Sequence, residues 1–471
     1  MLSLLDPYCL FLPPVRRDIL REETEGLYYG IGIEMVIYGG VVTVVSPIAG
    51  SPAYRAGVRA GDRIVRIDGK PATGITTGEA MRRLRGPRGT RVSVTVERPG
   101  VAYPLTFELA RDEIVVRPVA FAGLTAEGIG YVRLVRFSPT AAEMLDSVLQ
   151  QFLSQGSRGW VLDLRGNPGG FLDQAIDVAG CFLPQGALVC ETRGRNRFAN
   201  SSLFTSDEPV STTIPLVVLI DGGSASASEI VAAAITDHHR GVIVGRRSFG
   251  KGLVQSQGVL NGEYGLQLTT ARYYTPGGYT FSHTWPGEDT VAQSQQDVRQ
   301  GGLLPDFEVT GEGPFAAEAE VMRRGMYLNF VAMIGDSTTG VSFDSLWSGF
   351  LHSLDAAETR FATPVALMIA EAESVAASSP LAAEWKTAFN RLTVPVTAER
   401  EAELARAMPR LKMRLTESLM LYGGERGRRF LPTYLALDDD TRTAVEILSD
   451  PRRYQSLLGS SNKQPAVALG H

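Results

Sequence analysis

Leu216-Val-Val-Leu-Ile-Asp-Gly-Gly-Ser-Ala-Ser-Ala-Ser-Glu-Ile230 decides the fold class. Leu216 to Ile220 form a continuous apolar run, as a strand buried on both faces of a sheet requires. Gly222 and Gly223 follow and permit a sharp turn with close backbone approach. A helix is expected from Ser228 to Thr236, so strand, turn and helix together read as one unit of an α/β core. A serine in the first turn of that helix sits among unpaired N–H groups at the positive end of the dipole. A developing oxyanion would be stabilised there. Serines at helix starts also act simply as caps, and Ser224 and Ser228 can be read that way.

The same character extends on both sides of this stretch. Ile129 to Val135, Trp160 to Leu164 and Val242 to Val244 are further strand candidates. Ala141 to Leu153 is an amphipathic helix with Met144, Leu145, Val148, Leu149 and Phe152 on one side. Between Gly30 and Pro99, short β-branched runs alternate with turn signals. Strands are expected at Val41–Val45, Arg63–Ile67 and Arg91–Val96, a tight turn at Asp68-Gly69, and a helix from Thr77 to Leu84 with Met81 and Leu84 inward. Residues 1–28 read as a lead-in, partly helical around Arg16 to Glu25. Beyond Pro314 the chain turns rich in alanine, glutamate and arginine. Segments 316–334, 365–377 and 441–448 look helical. Leu404, Met408, Leu411, Leu415, Leu419 and Tyr422 recur at helical spacing, with Pro409 expected to kink or restart that helix. The residues from Gly459 onward read as a frayed tail.

A second informative stretch is Gly245-Arg-Arg-Ser-Phe-Gly-Lys-Gly-Leu-Val-Gln255. Lys251 is one of only five lysines among 46 basic residues, so its retention asks what arginine could not do. It lies between two glycines, with Phe249, Leu253 and Val254 close by. Burial in such surroundings pulls a lysine pKa down. A shift to about 7–8, at a cost of ~3–5 kcal/mol, would make the neutral amine a competent general base. Arginine does not deprotonate and could not substitute. A phosphate-binding lysine is the rival, but Gly252 stands where a nucleotide-binding loop has Ser or Thr. Gln255 lies within reach if the segment turns back; otherwise it is a surface glutamine.

A third stretch, Asp163-Leu-Arg-Gly-Asn-Pro-Gly-Gly170, follows a strand with a glycine-rich turn. The N–H groups of Gly169 and Gly170 could form half of an oxyanion hole, or the turn could be structural. A fourth, Tyr28-Tyr-Gly-Ile-Gly-Ile-Glu34, precedes the β-rich module. Successive amides at Gly30, Ile31, Gly32 and Ile33 suit a peptide carboxylate, with strand addition supplying the remaining contacts. Ser51-Pro-Ala-Tyr-Arg-Ala-Gly-Val-Arg-Ala-Gly-Asp62 resembles the helix-and-turn signature of PDZ domains.

Composition excludes several classes. With 44% apolar and 21% charged residues the chain is ordinary globular material, not a disordered one. A net charge of −5 argues against a nucleic-acid-binding surface. No apolar run reaches the ~20 residues of a membrane helix. Cys9, Cys181 and Cys190 are an odd count without metal-ligand spacing, so buried free thiols are expected. No metal and no cofactor is expected. Leu2 to Leu12 lacks a basic lead-in and does not read as a signal peptide.

Taken with Leu5-Asp-Pro-Tyr8 and Leu268-Thr-Thr-Ala-Arg-Tyr-Tyr-Thr-Pro276, these motifs fall in one order over residues 1–310. In that order the chain resembles the carboxyl-terminal processing (tail-specific) serine proteases. The resemblance implies a multidomain α/β plus β-rich architecture. In it, residues 1–28 form a lead-in belonging to the core or capping it, and 29–112 a PDZ module. Residues 113–312 form an α/β, crotonase-like protease core, and 313–471 a mostly helical extension. It further implies a Ser-Lys dyad of Ser226 and Lys251, with Gln255 orienting the lysine. An oxyanion hole is implied at Ala227 with Gly169 or Gly170, and Arg85 would couple PDZ docking to the active site. Substrates would be proteins with apolar C-terminal tails, the location periplasmic or otherwise extracytoplasmic. Self-association through the helical extension is a further expectation. A non-catalytic PDZ adaptor is the alternative, and a crotonase-like acyl-CoA enzyme is a third reading that leaves the PDZ module and the buried lysine unexplained.

Overall fold

The computed structural model describes residues 5–13, 27–38, 40–48, 50–59, 61–98, 101–115, 117–260, 264–283, 301–310, 315–323, 326–334, 340–356, 364–376, 379, 381–422 and 427–460. The helix expected around Arg16 to Glu25 lies outside them, as does the tail beyond Ser460. The chain divides into two compact units. One collects residues 1–28, 115–310 and 438–471, the other 29–114 and 311–437.

The first unit is built on a six-stranded sheet in the order Val119–Leu124, Ile129–Leu134, Gly159–Asp163, Leu216–Ile220, Val242–Gly245 and Phe307–Glu308. Only the first pairing is antiparallel. Every residue of Gly159–Asp163 and Leu216–Ile220 is buried, which explains the apolar runs Trp160–Leu162 and Leu216–Ile220. Ala141–Ser154, Leu172–Gly180 and Ala227–Asp237 are its helices. Leu145, Leu149 and Phe152 pack into the same apolar cluster as Trp160, Val218 and Ile230. A second, antiparallel sheet joins Leu10–Leu12, Tyr264–Tyr274, Leu188–Arg193 and Ser201–Phe204, with Leu253–Leu260 also paired to Tyr264–Tyr274. The lead-in therefore contributes a strand to this unit, and Leu12 is fully buried.

The expected extension over 313–471 does not hold together as one module. From Asp438 onward the chain packs in the first unit as helices Asp439–Ser449 and Pro451–Ser460. Ala444 and Ile447 are fully buried there, and the Tyr454 hydroxyl accepts from the Leu216 N–H at 3.0 Å. Apolar burial and hydrogen bonds between the Tyr454 hydroxyl and both backbone groups of Leu216 help bring this end of the chain to the central sheet.

The second unit holds an antiparallel sheet in the order Ile33–Tyr38, Val41–Pro47, Arg63–Ile67, Arg91–Glu97 and Leu105–Ala110. Asp68 and Gly69 both take positive φ, 49° and 71°, the geometry of the expected tight turn. Thr76 caps the helix Thr77–Leu84 by accepting from the Glu79 N–H. Leu84 is buried, while Met81 is only half-buried. The helices of residues 315–437 include Ala382–Tyr422, which runs through Pro409 without restarting. Leu411, Leu415 and Leu419 are buried along it, and packing on that stripe outweighs the hydrogen bond proline removes.

Candidate active site

Ser226 ends the turn between the buried strand Leu216–Ile220 and the helix Ala227–Asp237. Its φ of 56° and ψ of −113° are rare for a residue with a side chain. The two neighbouring serines are occupied elsewhere. Ser224 is fully buried and donates to the Leu164 carbonyl at 2.8 Å; Ser228 is fully buried and donates to the Asn167 carbonyl at 2.9 Å. Ser226 alone of the three is not fully buried. Neither Ser224 nor Ser228 caps the helix, since the N-cap position is that of Ser226; both are tied to backbone carbonyls instead, and the accessible position falls to Ser226.

One carboxylate organises the surrounding loops. Glu229 is fully buried, and its Oε2 accepts from the Ser226 N–H at 2.9 Å and the Lys251 N–H at 2.8 Å. Its Oε1 accepts from the Ser248 hydroxyl and the Gly250 N–H. Ser226 and Lys251 are therefore brought within two hydrogen-bond lengths of each other at the backbone, although they stand 25 residues apart in sequence. Burial pushes the Glu229 carboxyl above its usual range, and the four donors act against that rise. Sequence reasoning missed Glu229. The signal was present as Ser226-Ala-Ser-Glu229, the spacing at which an N3 glutamate reaches back to the N-cap amide.

Burial lowers the Lys251 pKa from its ordinary 10.5, against the opposing charge of Glu229. The short contact between Lys251 Nζ and Ser226 Oγ that an engaged Ser-Lys dyad requires is not formed. Nζ lies over the Tyr8 ring instead, 5.2 Å from its centroid. Gln255 follows a bulge in the strand Leu253–Leu260 and makes no bond to Lys251. Its Oε1 accepts from Gln267 at 3.4 Å, and its Nε2 is buried without a partner among the described residues. Gln267 in turn donates to the Tyr8 carbonyl, so the lead-in, Gln255 and Lys251 share one neighbourhood.

The glycine-rich turn abuts Ser226. A Cβ on Gly169 would stand 2.9 Å from Ser226 Cβ and 3.0 Å from the Ala227 nitrogen. The Gly169 N–H is not free, contrary to expectation, because it donates to Asn167 Oδ1 at 2.9 Å. Gly170 is tied through its neighbours instead: Phe137 donates to the Gly169 carbonyl and Phe171 to the Phe137 carbonyl. Asn167 is a second residue that sequence reading missed. It is fully buried, donates to the Leu134 carbonyl, and accepts at its own carbonyl from the Ala225 N–H. Asp221 completes the link, its Oδ1 accepting from Gly166 and Gly223.

In the second unit, the Gly30-Ile-Gly-Ile33 loop leads into the edge strand Ile33–Tyr38. The Ile31 carbonyl accepts from Ala53 and the Gly32 carbonyl from Ile48 and Ser51. Because a trans peptide sets its N–H opposite its carbonyl, the Gly32 and Ile33 amides face away from these partners. Gly32 needs its bare backbone, with φ of 74° and Ser51 Cβ only 2.2 Å from where a Cβ would stand. Arg85 caps the C-terminus of the helix Thr77–Leu84 and is half-buried. Among the described residues, no cluster of three or more His, Cys, Asp or Glu could hold a metal ion, and no helix is long and apolar enough to cross a membrane. Cys9, Cys181 and Cys190 are buried free thiols, with Cys181 and Cys190 pushed up to about 12 by burial.

Two family models match the chain, peptidase family S41 over residues 128–308 and the PDZ domain over residues 43–98. A carboxy-terminal-processing protease of Bartonella bacilliformis is 44% identical over 288 residues, 59% of this chain and 64% of that protein's length. A carboxyl-terminal-processing protease of Synechocystis is 36% identical over 327 residues, 68% of this chain and 71% of the other. A solved photosystem II D1 C-terminal processing protease is 31% identical, covering 64% of this chain and 78% of its own, with a TM-score of 0.38.

Proposed function

The chain belongs to the carboxyl-terminal-processing proteases, in peptidase family S41, and on that premise we propose that it is a Ser-Lys endopeptidase for proteins with apolar C-terminal tails. The observation that carries the reading is Glu229, whose single Oε2 holds the backbones of both Ser226 and Lys251. Ser226 Oγ attacks the scissile carbonyl as Lys251 Nζ removes its proton. The amine then returns that proton to the leaving nitrogen, and water resolves the acyl-enzyme. The Ala227 N–H, with that of Gly170, receives the developing oxyanion. Gly169 shapes this hole by leaving room for it.

Engagement of the dyad requires Lys251 Nζ to leave the Tyr8 ring and turn to Ser226, with the Gln255 amide orienting it. The substrate tail adds as a strand along Ile33–Tyr38 and places its carboxylate against the Gly30–Ile33 amides, while Arg85 couples docking to the core. Within this reading the α/β core is crotonase-like and the location extracytoplasmic. The chain also self-associates through residues 315–437, where Met322, Met333, Met368, Leu381 and Trp385 expose apolar side chains.

The test is cleavage of an unfolded protein with an apolar C-terminus by the wild type, Ser226→Ala and Lys251→Arg. The wild type is expected to cleave, and both variants to lose at least about a thousandfold in kcat. Full activity in Lys251→Arg would sink the dyad. A wild type that binds tails and cleaves none would leave the adaptor reading in place.

A further inference from the structure

The turn beside Ser226 is held by the far end of the chain. Arg165 directly precedes Gly166, and its side chain is 10% exposed. Its Nε and Nη2 donate to Asp163 at 3.0 and 2.6 Å. On the other side, Nη1 donates to both oxygens of Asp438, at 3.0 and 2.9 Å, and to Asp440 Oδ2 at 2.9 Å. Nη2 also reaches Thr441 Oγ1 at 3.4 Å. Tyr131 donates to Asp163 at 2.7 Å, and Arg246 lies 3.4 Å from Asp440.

We propose that the helix beginning at Asp438 is a positioning element for the oxyanion side of the active site, acting through Arg165. This rests on the Ser-Lys reading above. The path is short and made of hydrogen bonds. Leu164, next to Arg165, accepts at its carbonyl from the Ser224 hydroxyl, and Gly166 donates to Asp221. Both partners lie in the turn that carries Ser226. A buried guanidinium facing carboxylates is fixed in position, because moving it would leave charges unpaired. With Asp438 and Asp440 neutral, Arg165 loses the charge of two of the carboxylates it faces and is held less firmly. The backbone of Leu164 to Gly170 can then drift against Ala227. Misplacement of an oxyanion donor lowers the rate of the chemical step more than it lowers substrate binding.

Asp438 also caps its helix by accepting from the Thr441 N–H at 2.8 Å. Asparagine caps equally well, so Asp438→Asn removes the charge and keeps the cap. The experiment compares the full-length wild type, Asp438→Asn/Asp440→Asn, Tyr454→Phe and Ser226→Ala, all well below their melting temperatures. Tyr454→Phe loosens the same C-terminal helices at Leu216 without touching Arg165. The double variant is expected to lose about tenfold in kcat with KM within about twofold, and to bind a peptide boronate about tenfold more weakly. Tyr454→Phe is expected to melt lower and keep wild-type kcat. Wild-type kcat in the double variant overturns the proposal, as does an equal kcat loss in Tyr454→Phe for an equal loss of melting temperature. If the double variant does not fold, Asp440→Asn alone is read by the same criteria. Full activity in Ser226→Ala would instead count against the dyad and leave the role of Arg165 to be judged on the other arms.

Discussion

Gly169 has no room for a side chain. With φ of 100° and Ala225, Ser226 and Ala227 within about 3 Å of its missing Cβ, Gly169→Ala must either strain the turn or push it off the helix start. The expected cost is ~1–3 kcal/mol in unfolding free energy, with kcat falling by about a hundredfold, read by thermal melts and initial rates. Lys251 gives a pH prediction whose sign follows from its surroundings. Burial lowers its pKa from 10.5, so the neutral amine grows in as pH rises through the folded value. The pH profile of kcat/KM should rise to a plateau with its inflection below 10.5. Glu229 opposes that shift, so Glu229→Gln should move the inflection further to the acid side. It should also lower kcat, since an amide cannot accept from all four donors. An unmoved inflection in Glu229→Gln would mean its charge does not act on Lys251.

At the scale of elements, local pattern and structure agree where one face or both are buried. Leu216–Ile220 begins and ends where its apolar run placed it, Arg63–Ile67 where β-branched residues between turn signals placed it, and Asp68-Gly69 takes the backbone its dipeptide requires. The α/β core, the PDZ module and the stretch holding Ser226 and Lys251 were all legible. What was not legible lies in contacts that periodicity does not encode. The pairing of Arg165 with Asp438 spans 273 residues, and nothing near either residue announces the other. Asn167 looked like a turn residue, yet its side chain claims the Gly169 N–H that the turn was expected to leave free. Pro409 was overridden by a tertiary stripe, Leu411, Leu415 and Leu419, that local propensity does not weigh. Asp163 adds a stability prediction here. Burial would raise its pKa, but the charge and hydrogen bonds of Arg165, the charge of Arg133 and the Tyr131 hydroxyl outweigh that and lower it. Its contribution is full above the ordinary 3.8 and lost as pH falls through the lower folded value. Asp163→Asn should therefore melt lower at neutral pH, with the difference from wild type shrinking in acid.

At the scale of the whole molecule, the helical segment 315–437 and the C-terminal helices belong to different compact units. The apolar side chains exposed at Met368 and Trp385 are expected to support self-association, so Met368→Glu/Trp385→Glu should shift the sedimentation coefficient toward the monomer. A wild type that is already monomeric at micromolar concentration would contradict that expectation. In the proposed dyad Ser226 is the nucleophile and Lys251 its base. A fluorophosphonate, which phosphonylates activated serines with loss of fluoride, is the direct probe, with the labelled peptide mapped by mass spectrometry across a pH series. Label is expected on Ser226, at a rate that climbs with pH in the wild type and is lost in Lys251→Arg. Label on Ser224 or Ser228, or an unchanged labelling rate in Lys251→Arg, would contradict it.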